Sequence, residues 1–345
     1  MPAFEDLPLT PTSYGRALYE RGRELVRSHG ARLDELLWDA DEVLWDWLLS
    51  GVQLLGVLPR IALRGDLSHR EWVLPRPGML ELLWGMRHES LALGLDPHIR
   101  IWTSGYPWRM WRIGREIPGF GELIGPPFDP GPAGAESMVD HPRVFTRTDY
   151  VRAMTRLLDP RARGELLSPF PATPRSVLAR HIHARPQHSG LKIPELALLS
   201  GKPELARGRV LIDDHGSNVR WFADAGRAAI HVLSSAPRIL LRAIPNSAWR
   251  PAQVIREIGV SSAEAIADAL VALGPAAGHQ ARGVVVARGR PVRAEAPRPF
   301  TIDVPDAVLQ GQWIRPIRAM VRDAKARFSG QREPNDREAE VEDLG

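Results

Sequence analysis

The stretch LLWDADEV, residues 36–43, joins an apolar run to two carboxylates one residue apart, Asp39 and Asp41. A second apolar run, VLI at 210–212, leads in the same way into Asp213-Asp214. Short apolar runs of this kind are typical of buried strands, and carboxylates are seldom buried without a partner. Four carboxylates at one edge of a sheet therefore predict a divalent cation, which prefers oxygen ligands.

The composition is that of an ordinary globular protein that is rich in arginine. Of the 345 residues, 44% are hydrophobic and 25% are charged, and the length allows one large domain or two smaller ones. The formal charge is +4, and lysine occurs only at positions 192, 202 and 325. This balance weakly favours anionic substrates and does not establish nucleic-acid binding. The absence of cysteine excludes disulfides, zinc–thiolate sites and cysteine nucleophiles.

The N-terminal residues and the longest apolar run predict a protein outside the membrane. Glu5 and Asp6 precede a charged helix, which is not the pattern of a secretory signal. The apolar run from Trp47 to Leu63 is interrupted by glycine, proline and arginine, so we do not expect it to span a membrane. We therefore expect a cytoplasmic enzyme.

Strand and helix patterns alternate along much of the chain. The predicted strands are Leu33–Trp38, Ile99–Trp102, Val210–Ile212, Ala228–Leu233 and Gly283–Ala287. The predicted helices are Tyr14–His29 with an N-cap at Thr12 or Ser13, 78–93, Tyr150–Leu158, a helix after Lys192, Arg220–Ala225, Ser261–Leu273 and Trp313–Phe328. This alternation predicts an α/β protein with a Rossmann-like three-layer α/β/α arrangement around a parallel sheet. Ligands of such sheets bind at the carboxyl ends of the strands, where the acidic pairs lie.

The alternation also predicts how the chain is divided. Residues 106–190 interrupt it with a Gly- and Pro-rich stretch, and we expect them to form an insertion that acts as a cap or specificity element. The first part of the core, with the N-terminal helix, occupies 1–105, and its second part occupies 191–235. We expect 236–328 to complete the core or pack on it, and 329–345 to be a disordered tail.

Four candidate motifs follow one another in a fixed order. They are DADEV at 39–43, Thr103 after a strand, Lys192, and Asp213-Asp214 after a strand. In this order, the motifs resemble those of the haloacid-dehalogenase (HAD) superfamily of phosphohydrolases. The resemblance implies a HAD-like fold with a cap-like insertion, and a phosphatase.

The resemblance covers 33–105 and 190–233. Within it, RPGM at 76–79 followed by IWTS at 101–104 looks like the branch that contains the carboxyl-terminal-domain phosphatases. The long segment before the lysine departs from that branch.

The resemblance implies a role for each polar residue, and general chemistry supports these roles. Asp39 would be the nucleophile that accepts the phosphoryl group, and Asp41 would protonate the leaving oxygen and then activate water. Thr103 and Ser104 would bind phosphoryl oxygens, and Lys192 would offset negative charge on the nucleophile and the phosphoryl group.

The same resemblance implies a Mg²⁺ cofactor. Its ligands would be the carboxylate of Asp39, the backbone carbonyl of Asp41, and Asp214, with Asp213 adjacent. The cation would neutralise charge between anions that otherwise repel one another.

Some assignments have rivals in the sequence. Lys202 lies only 11 residues before Asp213, which leaves little room for a helical crossover, so we prefer Lys192 and expect Lys202 in a solvated loop. We interpret the histidines at 181, 183 and 188 as a polar loop rather than a metal site. Asn218 fits an outer-shell group or a helix cap equally well. Trp108 and Trp111 fit a substrate entrance or a packing role equally well.

Other functions remain open at this stage. A phosphotransferase would use the same residues, and a metal-binding interaction module without turnover would need only some of them. Asp41 argues against a dehalogenase, because halide leaves without a proton. The substrate is expected to be a phosphorylated small molecule, nucleotide or phosphoprotein, and the sequence does not choose among them.

Overall fold

The structure is a computed structural model of the chain. It describes residues 4–9, 12–41, 43–50, 70–105, 107–131, 134, 138–158, 192–233, 260–261, 263–274, 283–288, 291–292 and 300–303.

The strands of the described residues fall into one main sheet and two small ones. They are β1 (Leu36–Trp38), β2 (Trp45–Ser50), β3 (Arg70–Pro75), β4 (Arg100–Trp102), β5 (Val144–Phe145), β6 (Val210–Asp213), β7 (Ala228–Leu233), β8 (Val260–Ser261), β9 (Gly283–Arg288), β10 (Pro291–Val292) and β11 (Phe300–Asp303). The main sheet has six strands in the order β5-β4-β1-β6-β7-β9, and all its pairings are parallel.

Helices cover both faces of the main sheet. They are α1 (Ser13–His29), α2 (Met79–Ala92), α3 (Pro107–Glu116), α4 (Phe120–Ile124), α5 (Arg147–Leu158), α6 (Pro194–Ser200), α7 (Pro203–Ala206), α8 (Gly216–Asp224) and α9 (Glu264–Leu273).

Alternate residues of β1 enter two separate apolar cores, as the two-residue period of a strand requires. Leu36 and Trp38 belong to the core beneath α1, α2 and α9. Leu37 belongs to the core beneath α5, α6 and α8. All three strand residues are fully or almost fully buried, which explains why β1 is a continuous apolar run.

The candidate site lies at the carboxyl end of β1, a central strand of the main sheet. From β1 the chain continues to β4 and β5 on one side, and β6, β7 and β9 lie on the other side. The order of strands therefore reverses between β1 and β6, and ligands of open parallel sheets bind at the carboxyl ends of strands at such a point. The two acidic pairs follow these two strands.

A second sheet begins directly after the first acidic pair. β2 and β3 form an antiparallel hairpin, and β11 pairs with the other edge of β3. The buried Arg76, just past β3, donates from Nε to the carbonyl of Val43 at 2.7 Å. This bond ties the base of the hairpin to the turn that carries Asp41.

The predicted α/β class and the parallel sheet are confirmed, with local differences. The predicted helix at 14–29 begins at Ser13 after Thr12, whose hydroxyl accepts from Gly15 N at 2.9 Å. The predicted strand Leu33–Trp38 is wrong in its first half, because Leu33–Glu35 is a 3-10 turn that leads into β1.

Residues 106–158 contribute a strand to the main sheet, so they are not wholly an insertion. β5 lies within the segment that we expected to be a separate insertion, and it forms an edge of the main sheet beside β4. The expected cap over the site stays a prediction.

Several predictions lie outside the described residues. They are the histidines at 181, 183 and 188, the helix Trp313–Phe328, the tail at 329–345, and most of the apolar run Trp47–Leu63. Among the described residues, no helix has both the length and the apolar character needed to cross a membrane.

Candidate active site

Lys192 connects the ends of the two central strands. Its Nζ lies 2.7 Å from Asp39 Oδ2 and 2.6 Å from Asp213 Oδ2. Asp39 extends the ladder between β1 and β6, because its N–H donates to the carbonyl of Ile212 at 2.8 Å. The register of the sheet therefore brings together carboxylates that are 174 positions apart in the chain.

Burial makes the charges of this triad strongly interdependent. Burial alone would lower the pKa of Lys192, but the carboxylates of Asp213 and Asp39 outweigh it and raise the pKa above its ordinary value. Lys192 is therefore a permanent cation at neutral pH. Burial raises the pKa of Asp39 well above its ordinary value, Lys192 opposes the rise, and the nearby Asp213 adds to it. A further cation beside Asp39 would favour its charged form.

Asp214 adds a third carboxylate to the same place. One oxygen each from Asp39, Asp213 and Asp214 lies within 4.8 Å of the other two. When all three carboxylates are ionised, Lys192 offsets one of the three negative charges, and a divalent cation would offset the other two. An all-oxygen donor set suits Mg²⁺.

Asn218 supports the second acidic pair. It is buried on α8, and its Nδ2 donates to Asp213 Oδ1 at 3.3 Å and Oδ2 at 3.2 Å. Its Oδ1 is buried without a hydrogen-bond partner among the described residues, so it could accept from a metal-bound water. Asn218 is therefore not a helix cap; the N-cap of α8 is His215, whose N–H donates to Asp213 Oδ1 at 2.7 Å.

Asp41 occupies a different environment from Asp39. The carbonyl of Ala40 accepts from Leu44 N at 3.1 Å and Trp45 N at 3.4 Å, so the chain turns tightly after β1. Asp41 lies on this turn and retains partial exposure. Its carboxylate lies outside the three-carboxylate cluster. The expected coordination by its backbone carbonyl stays a prediction.

Thr103 ends the strand on the other side of β1. Its N–H donates to the carbonyl of Phe145 at 2.9 Å, and its buried Oγ1 accepts from Gly105 N at 2.9 Å. The second contact uses a lone pair of the hydroxyl oxygen and leaves its hydrogen for donation to a ligand.

The first residue of α5, Arg147, holds the turn after Thr103 in place. Arg147 donates from Nε to the carbonyl of Ser104 at 3.0 Å and from its backbone N–H to the carbonyl of Gly105 at 2.9 Å. Ser104 is partly exposed on this turn, and its expected contact with phosphoryl oxygens stays a prediction.

The expectation that Lys202 lies in a solvated loop is wrong. Lys202 is 3% exposed, and its Nζ donates to Asp149 Oδ2 at 2.8 Å and to the carbonyl of Val144. Asp149 also accepts from the backbone N–H and the hydroxyl of Thr146, at 2.7 and 2.9 Å. The partner of Lys202 is 53 positions away in the sequence, so local sequence does not reveal the ion pair. Lys202 therefore stabilises the packing of α5 against the rest of the core.

Replacement of Lys202 by methionine is expected to destabilise the protein by up to about 3–5 kcal/mol, because it removes the ammonium that lies 2.8 Å from the buried carboxylate of Asp149 and leaves that carboxylate with the more distant Arg152, at 3.9 Å. Urea unfolding at neutral pH measures this loss. Arg207→Met, on an exposed side chain five positions away, should change the free energy of unfolding very little. Adding Asp149→Asn to Lys202→Met should recover part of the loss, and equal stability of Lys202→Met and the wild type would contradict the assignment.

Arg109 is one of many arginines in the sequence, which does not place it beside Asp41. Its Nη1 lies 3.4 Å from Asp41 Oδ2. Its neighbours Trp108 and Trp111 are buried in the apolar core, which favours the packing role over a substrate entrance. The helical spacing offered a signal, because Trp108 and Trp111 on the buried face direct Arg109 to another side of α3.

No family model matches the chain, and neither the curated proteins nor the solved structures yield a match to it.

Proposed function

We propose that this protein is a Mg²⁺-dependent phosphatase that hydrolyses a phosphomonoester through an aspartyl-phosphate on Asp39. The observation that carries the proposal is the pair of contacts from Lys192 Nζ, 2.7 Å to Asp39 and 2.6 Å to Asp213. A structural ion pair needs one carboxylate for one ammonium, whereas Lys192 contacts two, and Asp214 brings a third carboxylate oxygen within 4.8 Å of theirs. Excess negative charge in a largely buried site is costly unless a cation compensates it.

The cation would be held by the carboxylates of Asp39 and Asp214 and the backbone carbonyl of Asp41, with Asp213 adjacent. When bound, Mg²⁺ would offset the negative charge of the nucleophile and of the phosphoryl group. The order of the motifs and the six-stranded parallel sheet support membership of the HAD superfamily. The candidate for a cap is the segment 106–190 apart from β5, which belongs to the main sheet.

In the first half-reaction, a carboxylate oxygen of Asp39 attacks phosphorus. The bond from phosphorus to the ester oxygen breaks, and the leaving oxygen takes the proton of Asp41. Lys192 stabilises the charge that the reacting groups share, and Thr103 donates a hydrogen bond to a phosphoryl oxygen. The alcohol then leaves.

In the second half-reaction, Asp41 accepts a proton from a water molecule as that water attacks phosphorus. The bond between phosphorus and Asp39 breaks, inorganic phosphate leaves, and both carboxyl groups return to their initial states. One residue thus serves as acid and then as base, which explains the need for a second carboxylate so close to the nucleophile.

Removal of the metal is expected to abolish hydrolysis reversibly. The purified chain should release nitrophenol from p-nitrophenyl phosphate with Mg²⁺, lose about 10²-fold or more of this activity in EDTA, and regain it when Mg²⁺ is restored. Ca²⁺ is the matched control, because it prefers longer bonds and more ligands and should support much slower turnover. Undiminished hydrolysis in EDTA would contradict the role of the metal. Absence of any hydrolysis, together with failure to bind beryllium fluoride, would favour a metal-binding module instead.

A further inference from the structure

The carboxylate of Asp41 is held from two directions. Trp45 Nε1 donates to its Oδ1 at 3.2 Å, and Arg109 Nη1 donates to its Oδ2 at 3.4 Å. Asp41 stands on a turn rather than in a strand, so the sheet itself does not fix the direction of this side chain. Donors to both carboxylate oxygens fix that direction.

Trp45 is an immobile donor. Its side chain is buried, with 1% of the residue exposed, and its ring packs edge-on against Phe120 with centroids 5.5 Å apart. Because it is also the first residue of β2, its backbone is fixed by the hairpin. Trp45 therefore holds the Oδ1 side of the Asp41 carboxylate in place.

Arg109 connects Asp41 to the turn that follows Thr103. Arg109 lies in α3 between two buried residues, Trp108 and Met110, and its side chain passes close to Gly105. A Cβ atom at Gly105 would lie 3.5 Å from Arg109 Cδ and 3.5 Å from Nη1. The guanidinium thus lies between the backbone of this turn and the carboxylate of Asp41.

The contact between Arg109 and Asp41 is expected to contribute little to the stability of the fold. The side chains are 13% and 25% exposed, and their closest charged atoms are 3.4 Å apart. Partly exposed ion pairs of this length contribute little to the free energy of folding, since screening and the cost of ordering a long side chain offset the attraction. Orientation of the carboxylate is the effect that this geometry does produce, and orientation strongly affects proton transfer.

We propose that Arg109 is a positioning residue for Asp41. It holds the carboxylate at the angle required for proton transfer to the leaving oxygen and from water, and it aligns Asp41 with the turn of Thr103. This assignment rests on the proposed function, because it gives Asp41 the acid and base role.

A double-mutant cycle tests this assignment on the full chain with p-nitrophenyl phosphate and Mg²⁺. Arg109→Gln should lower kcat about 10- to 100-fold with little change in KM, because a small misplacement of a reacting group has effects of this size. In an Asp41→Asn background, Arg109→Gln should lower kcat no further, because it acts through Asp41. Arg115→Gln, on the exposed part of the same helix, is the matched control and should keep wild-type kinetics. If Arg109→Gln does not fold, Arg109→Lys enters the same cycle in its place.

Each outcome decides the matter. Loss of the Arg109 effect in the Asp41→Asn background supports the positioning role. The same fold-decrease in both backgrounds, or a raised KM with unchanged kcat, would overturn it and make Arg109 a substrate-binding residue. A wild type that does not hydrolyse phosphate esters would overturn the proposed function itself, and with it this role for Arg109.

Discussion

Asp39→Asn is expected to lower phosphatase turnover by at least about 10³-fold, because an amide cannot accept the phosphoryl group and loss of a nucleophile removes the entire covalent pathway. The fold should survive, since asparagine has nearly the same shape and keeps an oxygen that accepts from Ala40 N, a bond of 2.8 Å in the native protein. Lys192 would retain Asp213 as its partner. Steady-state hydrolysis of p-nitrophenyl phosphate measures the effect, and thermal unfolding verifies the fold.

The matched control is Asp268→Asn. This carboxylate lies on α9 and is 74% exposed, so the same chemical change there should leave hydrolysis unchanged. Full activity of folded Asp39→Asn would remove the covalent mechanism. Loss of activity in both variants would instead indicate a general effect on the protein.

Asp41→Asn is expected to separate the two half-reactions. Nitrophenolate leaves without a proton, so phosphorylation of Asp39 should proceed, whereas attack by water loses its base and slows about 10²- to 10⁴-fold. Rapid mixing with p-nitrophenyl phosphate should therefore give a burst of one equivalent of nitrophenolate, followed by slow turnover.

Leaving-group dependence provides the control for this prediction. With an alkyl phosphate, whose leaving oxygen does need a proton, Asp41→Asn should show no burst, because the first half-reaction is slow as well. Asp268→Asn, on the exposed carboxylate of α9, should behave as the wild type. A burst of equal size with both leaving groups would contradict the acid role of Asp41.

The sequence predicts the main sheet well, because the strands that form its centre are short runs of buried apolar residues. Leu36–Trp38 and the first three residues of Val210–Asp213 are apolar and are bounded by charged residues. The second strand begins where expected, whereas the first begins three residues later than expected. β5 has only two residues, Val144–Phe145, which is too short to give a period, and it was missed. Its place in the sheet depends on pairing with β4, a contact that no local pattern predicts.

The order of the motifs predicts which residues meet, but not what each one contacts. Asp39, Lys192 and Asp213 come together because the carboxyl ends of adjacent parallel strands share an edge. Lys202 shows the limit of spacing arguments, because its partner Asp149 belongs to a distant segment. Arg109 shows the same limit, since a helix reveals which face is buried but not which side chain of another element lies opposite.

The location of the phosphoryl group tests the central claim most directly. Asp41→Asn protein, mixed with p-nitrophenyl phosphate and Mg²⁺ and then quenched in acid, can be digested and its peptides examined by mass spectrometry. The proposed mechanism predicts one phosphoryl group on the carboxylate of Asp39, removable by hydroxylamine. A phosphoryl group on any other residue, or product release without phosphorylated protein, would contradict it.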